Sequence, residues 1–205
     1  MQRYSRDGVV TLETKLPIWE RFFTIAPLVL IGTREVGGSY DLAPKHMAFP
    51  ISWDNYFGFV CTPRHRTYQN IRREREFTVS YARPAQLVLT ALAAAPRCGE
   101  GGDDDKPSLA ALPTFPASNV NGVFARDAYV FLECALERIV DGFGENSLLA
   151  GRIVAAHVHQ DVLRATERDD QEIIHGAPLM AYLYPGRFAS IDRTYSFPFP
   201  AGFKR

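Results

Sequence analysis

The sequence predicts an all-β core with short helices, arranged as an antiparallel β-barrel plus α elements. Three observations carry this. From Tyr129 onward Val130, Leu132, Cys134 and Leu136 fall on one face while Glu133 and Glu137 fall on the other, the pattern of a half-buried antiparallel strand. Short apolar runs, LVLIGT at 28–33, YFGFVCT at 56–62 and FTVSY at 77–81, recur between glycine and proline breaks, as strands bounded by turns do. Helical periodicity is confined to short stretches with no regular βαβ alternation, which favours a barrel over a doubly wound sheet.

Taken in order, residues 15–23 (KLPIWERFF) place Leu16, Trp19, Phe22 and Phe23 on one face of a short amphipathic helix. The run at 28–33 reads as a buried strand, and Gly37, Gly38 and Ser39 mark a turn. Extended segments follow at 47–52 and 56–62, stopped by Pro63. Residues 67–74 have helical spacing, with Tyr68 and Ile71 three apart, and 77–81 is again a strand. Pro84 suits the first turn of a helix, and 85–95 supplies strong helix formers. The stretch from Arg97 to Lys106, with Asp103, Asp104 and Asp105 in succession, reads as an exposed loop. The strand from Tyr129, a turn at 142–147 and a returning strand at 148–158 form a hairpin. A last extended segment, 181–191, contains a Pro185-Gly186 turn. Nothing separates two cores, so residues 1–205 are read as a single domain.

Composition excludes several classes. The 205 residues are 46% hydrophobic, and 23 Lys+Arg balance 23 Asp+Glu. A chain without basic excess has no general pull on nucleic acid or on anionic membranes. The N-terminal residues lack the apolar core of a signal peptide, and no apolar run has the length of a membrane span. Cys61, Cys98 and Cys134 are far apart and form no CxxC pair, so neither a zinc site nor a disulfide framework is expected. The expectation is a soluble, cytoplasmic protein with reduced thiols.

GFGENS at 142–147 lacks the third glycine of a dinucleotide fingerprint, and a strand rather than a helix follows it; it reads as a hairpin turn. His157 and His159 point the same way on a strand, with Asp161 in step, but without a further ligand nearby no metal site is assigned. Cys61 reads as a small buried residue. The segment Thr62-Pro63-Arg64-His65-Arg66-Thr67-Tyr68-Gln69-Asn70 is more informative. A strand ends, proline bends the chain, and a helix begins near Thr67, so free helix amides, Arg64, Arg66, the Thr67 hydroxyl and the Asn70 amide converge. A phosphate cradle and an ordinary helix cap with surface arginines both fit these residues.

The order PLVLIGT, a glycine turn, DLAPKHMAFPIS, YFGFVCTPRHRTYQNI and EFTVSY, then LECAL and NSLLAGRIVAAHV, resembles the flavin-reductase-like proteins of the FMN-binding split barrel, from about Phe23 to Ile191. The resemblance implies a Greek-key split β-barrel, completed as a homodimer with one FMN per subunit near the interface. It implies that Asp41, Leu42, Ala43, Pro44, Lys45 and His46 lie beside the flavin ring and ribityl chain, and that Cys61, Thr62, Pro63, Arg64 and Arg66 continue the wall. Arg66, Thr67 and Asn70 would hold the phosphate, which selects the cradle reading. Relatives often carry Asn where this chain has Asp41, a side chain that cannot donate a hydrogen bond when ionised; Lys45 is the cation expected to offset it.

The implied activity is that of an FMN-dependent oxidoreductase, a flavin reductase drawing hydride from NADH or NADPH and supplying reduced flavin to a monooxygenase component. Such transfer needs stacking and orientation more than a protein acid or base, so no catalytic residue is assigned. The alternative is a non-catalytic FMN-binding protein for electron transfer or ligand sensing. An amine or pyridoxine-phosphate oxidase, which shares the barrel, is a third reading.

Overall fold

The computed structural model describes residues 8–95, 106–164 and 167–203. Cys98 and the acidic run at 103–105 lie outside them. Twelve strands and three α-helices are described. The strands are β1 (Thr24–Pro27), β2 (Val29–Arg34), β3 (Tyr40–Lys45), β4 (Ala48–Pro50), β5 (Tyr56–Cys61), β6 (Glu76–Tyr81), β7 (Thr114–Pro116), β8 (Val123–Ala125), β9 (Val130–Phe143), β10 (Asn146–Val158), β11 (Leu179–Tyr184) and β12 (Arg187–Ile191). The helices are α1 (Arg66–Glu74), α2 (Leu87–Leu92) and α3 (Asp170–Gly176).

The main sheet has seven strands in the order β3-β2-β6-β9-β10-β5-β4, every neighbouring pair antiparallel. Its two edges, β3 and β4, are consecutive in the chain, with only His46 and Met47 between them. Three virtual bonds span at most about 11 Å. The sheet therefore curls until the end of β3 lies near the start of β4, although the two strands do not pair. A three-stranded sheet, β1-β11-β12, and a β7-β8 ribbon pack beside it.

The barrel interior holds Ile31, Phe57, Phe59, Ile71, Phe77, Val79, Cys134 and Leu149, each buried. Leu30 and Leu42 point the opposite way, into a second cluster with Ala93, Leu112, Val123 and Ala125. Both faces of β2 are thus covered, and this explains why its sequence is a continuous apolar run rather than an alternation. Gly32 is required there, because a Cβ would approach the Val123 carbonyl oxygen to 2.5 Å and collide with the Thr78 hydroxyl. Trp53, Phe57 and Phe59 separate: the two phenylalanines are core, and Trp53 is 96% exposed.

Helix α1 buries Thr67, Tyr68, Asn70 and Ile71 and keeps Arg72 and Arg73 in its last turn, where cations suit the helix dipole. It ends at Arg75, which takes a left-handed φ of 65° as its N–H returns to the Ile71 carbonyl. The hairpin read at 142–147 is present, with Gly142 at φ +102° and Gly144 at φ +63°.

Three expectations change. Residues 15–23 hold only a 3-10 turn, Trp19–Arg21, and Leu16, Trp19, Phe22 and Phe23 are exposed. With Pro17 inside it and no surface among the described residues receiving its apolar face, the segment has nothing there to offset helix nucleation. The helix at 85–95 shrinks to a 3-10 turn, Pro84–Gln86, and the six residues of α2. Residues 181–191 are two strands folded on the Pro185-Gly186 turn. The sequence reading marked neither β3 nor α3.

Candidate functional site

The site forms where β3 faces the start of α1. Tyr56–Cys61 enters the core as β5, and after Thr62-Pro63 the residues Arg64, His65 and Arg66 line the same cavity as Asp41, Ala43, Pro44 and Lys45 of β3. His65, the residue that caps α1, is extended and makes no side-chain bond to the helix. The first-turn amides have no acceptor inside the helix and carry its positive dipole end. A cavity of about 410 Å³ opens at this point, lined by Asp41, Ala43, Pro44, Lys45, Arg64, His65, Arg66, Thr67, Ala93, Ala94, Ala95 and Lys106.

The cavity lining combines small apolar residues, Ala43, Pro44 and Ala93–Ala95, with the cationic Lys45, Arg64, Arg66 and Lys106. These cations and the α1 amides are groups that can serve an anion. Asp41 is buried and paired with Lys106, whose Nζ lies 3.1 Å from Asp41 Oδ1 and 3.1 Å from the Leu42 carbonyl oxygen. The pairing with Lys106 was not expected; Lys45, the cation expected to offset Asp41, also lies near the Cys61 thiol. Burial pushes that thiol up, and the ammonium offsets only part of the effect, so the sulfur stays protonated at neutral pH. His65, 3.9 Å from Cys61 Sγ through Nδ1, has its pKa lowered by burial and then by Lys45 and Arg64. It is a neutral ring at pH 7.

The structure thus brings Asp41, Ala43, Pro44, Lys45, Arg64, Arg66 and Thr67 to one cavity. It sends the other expected residues elsewhere. Leu42 faces the second apolar cluster. The His46 ring lies against Tyr182 and Tyr184, with centroids 4.9 and 5.5 Å away. Cys61 is 3% exposed within the barrel core. Thr62 and Pro63, with Arg64, border a separate depression against the β9-β10 turn, where Arg64 meets Glu145 at 2.6 Å. Asn70 spends both ends of its amide internally: Nδ2 donates 3.1 Å to Thr33 Oγ1, and Oδ1 accepts from Arg73 at 3.0 Å. It braces α1 on β2. His65, Lys106 and Ala93–Ala95 are lining residues that the sequence reading missed. His65 lies within the segment already singled out; Lys106, 65 positions from Asp41, carries no local signal.

Of the two histidines expected to share a strand face, His157 lies on β10 and His159 just past its end, and each meets a carboxylate. His157 Nε2 is 3.1 Å from Glu133 Oε1 and His159 Nδ1 is 2.8 Å from Asp161 Oδ1.

The curled antiparallel sheet, with the start of α1 beside edge strand β3, places the fold in the split-barrel class. The chain belongs to the flavin reductase like domain family, whose model matches residues 22–191. Its fold is similar to that of 2-nitrobenzoate 2-nitroreductase from Pseudomonas fluorescens, at 15% identity over 99% of this chain and 98% of that one, with a TM-score of 0.76. It is also similar to an FMN-binding protein from Thermus thermophilus, at 20% identity over 96% and 99% of the two chains, TM-score 0.71. A third similar structure is nitrilotriacetate monooxygenase component B from Bacillus cereus, at 18% identity over 85% and 88%, TM-score 0.71. The family, the split barrel and a flavin-reductase-like oxidoreductase, all expected from the sequence, are borne out. So is a flavin as the cofactor class.

Proposed function

We propose that the chain binds FMN in the cavity between β3 and α1 and acts as an NAD(P)H-dependent flavin reductase. The observation that carries this is the convergence of Lys45, Arg66, Thr67 and the uncapped start of α1 on one cavity. Arg66, Thr67 and the first-turn amides would hold the phosphate, and Lys45 would add charge. Ala43, Pro44 and Ala93–Ala95 would border the ring. FMN, when bound, supplies the hydride-accepting chemistry. The protein's part is to fix the ring and exclude water, and the apolar lining serves both.

Among the described residues no helix is long and apolar enough to cross a membrane. Cys61 and Cys134 are free and buried, which suits the cytoplasmic placement we retain. Pairing of β1 with β11 ties the first described strand to the last sheet and supports treating 1–205 as one domain.

A homodimer is part of the proposal. Met47, Phe49, Ile51 and Trp53, at alternate positions along and beyond edge strand β4, are all exposed. Such a row on a sheet edge invites a partner, and a second copy is the occupant the family resemblance implies. Similarity to a monooxygenase component B supports transfer of reduced flavin to an oxygenase component. The test is the absorption spectrum of the purified protein with FMN before and after NADH or NADPH. Bleaching with turnover of excess FMN is the expected result. FMN binding without bleaching by either donor would leave the electron-transfer or ligand-sensing reading.

A further inference from the structure

Arg64 lines the cavity between β3 and α1, and it also lines the depression of about 470 Å³ against the β9-β10 turn. No other described residue lines both. Its guanidinium is turned to the second of them, where Nη2 donates to Glu145 Oε2 at 2.6 Å. Glu145 lies in the turn itself, between the end of β9 at Phe143 and the start of β10 at Asn146.

This pair can open at little cost. The two side chains are 74% and 76% exposed, and an ion pair that water reaches has little net strength. The turn does not depend on it. Tyr68 Oη, on α1, donates to Asp141 Oδ1 at 3.3 Å, and Ser147 Oγ donates to the same oxygen at 2.6 Å. Those bonds tie the turn to α1 and to the start of β10, so Arg64 can leave Glu145 while the turn stays in place.

The first cavity offers Arg64 a stronger partner. A phosphate monoester carries roughly 1.5 to 2 negative charges near neutral pH, against one on Glu145, and its oxygens suit the planar fork of a guanidinium. Helix α1 begins just after Arg64, at Arg66, and its start is uncapped by any side chain. Because Arg64 already lines that cavity, a change between staggered side-chain rotamers is the motion required.

We propose that Arg64 exchanges Glu145 for the phosphate of FMN, so that it clamps the bound flavin while the β9-β10 turn sets how much affinity the clamp supplies. Glu145 is a positioning residue that acts only through Arg64. The inference rests on the FMN reading given above and adds to it a dependence on a turn outside the cavity.

A double-mutant cycle read by binding tests it. Wild type, Arg64→Ala, Glu145→Gln and the double variant are titrated with FMN and with riboflavin, followed by quenching of flavin fluorescence. Arg64→Ala should bind FMN about five- to tenfold more weakly, the loss of one charged hydrogen bond less the weak pair given up for it. Its riboflavin affinity should change by less than about twofold, because riboflavin has no phosphate to clamp. Glu145→Gln should bind FMN about two- to fivefold more tightly, the most that an exposed pair withholds, and riboflavin as wild type does. The double variant should match Arg64→Ala, since without the guanidinium Glu145 has nothing to withhold. A Glu145 carboxylate that repelled phosphate directly would still give a gain there. Equal losses for both flavins in Arg64→Ala, no FMN loss in it, no gain in Glu145→Gln, or a double variant that binds FMN more tightly than Arg64→Ala would each overturn the proposal. A wild type with no preference for FMN over riboflavin would overturn the FMN reading itself, whereas any of those four results beside a clear wild-type preference overturns the exchange alone.

Discussion

Two buried carboxylates in this protein are solvated in opposite ways. Glu133, on β9, is fully buried and accepts from the backbone N–H groups of Ser118, Asn119 and Val120, and it meets His157 Nε2. Asp41, on β3, is nearly as buried and meets the side-chain ammonium of Lys106. Backbone amides arrive in fixed geometry, so Glu133 shapes the 118–120 loop and is bound to the fold. The carboxylate held by three backbone amides is structural, and the one that meets a lysine lies on the cavity.

The largest expected effect falls on the first of these. Glu133→Ala strands the loop amides and should lower stability by about 2–4 kcal/mol, measured by urea unfolding. Losing Asp41 with Lys106 together should cost much less, since replacing both partners of a buried pair is often near neutral. Comparable losses in the two proteins would break the contrast.

The second effect is on pH. Burial alone would raise the Glu133 pKa, but the donors from Asn119, His157, Ser118 and Val120 outweigh it and hold the carboxyl below its ordinary value of 4.5. The folded protein therefore keeps this proton off more strongly than the unfolded chain does. The stability it contributes is complete above about pH 4.5 and is lost as pH falls through the depressed folded value. Thermal melts from pH 6 to pH 3 should show a steep acid limb that Glu133→Gln flattens.

The third is smaller. Burial and then Lys45 lower the pKa of His46 from 6.5, so the unfolded chain takes up this proton first. Stability should rise with pH through the window just below 6.5 and level off above it. His46→Phe, which keeps a ring against Tyr182 and Tyr184, should remove that slope in melts between pH 5 and pH 7.

The smallest effect belongs to Arg64 and Glu145, about three-quarters exposed despite their 2.6 Å contact. Glu145→Gln should change stability by under about 1 kcal/mol. A larger loss would mean that the β9-β10 turn braces the site.

The legible parts of the fold were those whose signal is local. The alternation along β9, the glycine turn after it and the Tyr68/Ile71 spacing of α1 are each written within a few residues. β3 was not, because Asp41 and Pro44 interrupt any strand pattern. Proline is tolerated there since β3 is a sheet edge with no outer neighbour among the described residues. The 15–23 segment failed for the opposite reason: its periodicity is clear, but the tertiary surface that would reward it is not supplied within the described residues. At the site, the α1 start was readable from Pro63, Arg66 and Thr67. Asn70 was misplaced because sequence shows a donor on the right turn but not that Thr33 and Arg73 already engage it. Lys106 was unreadable because its partner is distant in the chain.

The central claim is that the α1 start binds the phosphate of FMN, and the most direct test is to titrate wild type and Arg66→Ala with FMN and with riboflavin. Wild type should prefer FMN, and Arg66→Ala should lose about ten- to a hundredfold of FMN affinity while riboflavin binding changes little. Equal losses for the two flavins, or a wild type that binds riboflavin as tightly as FMN, would contradict it.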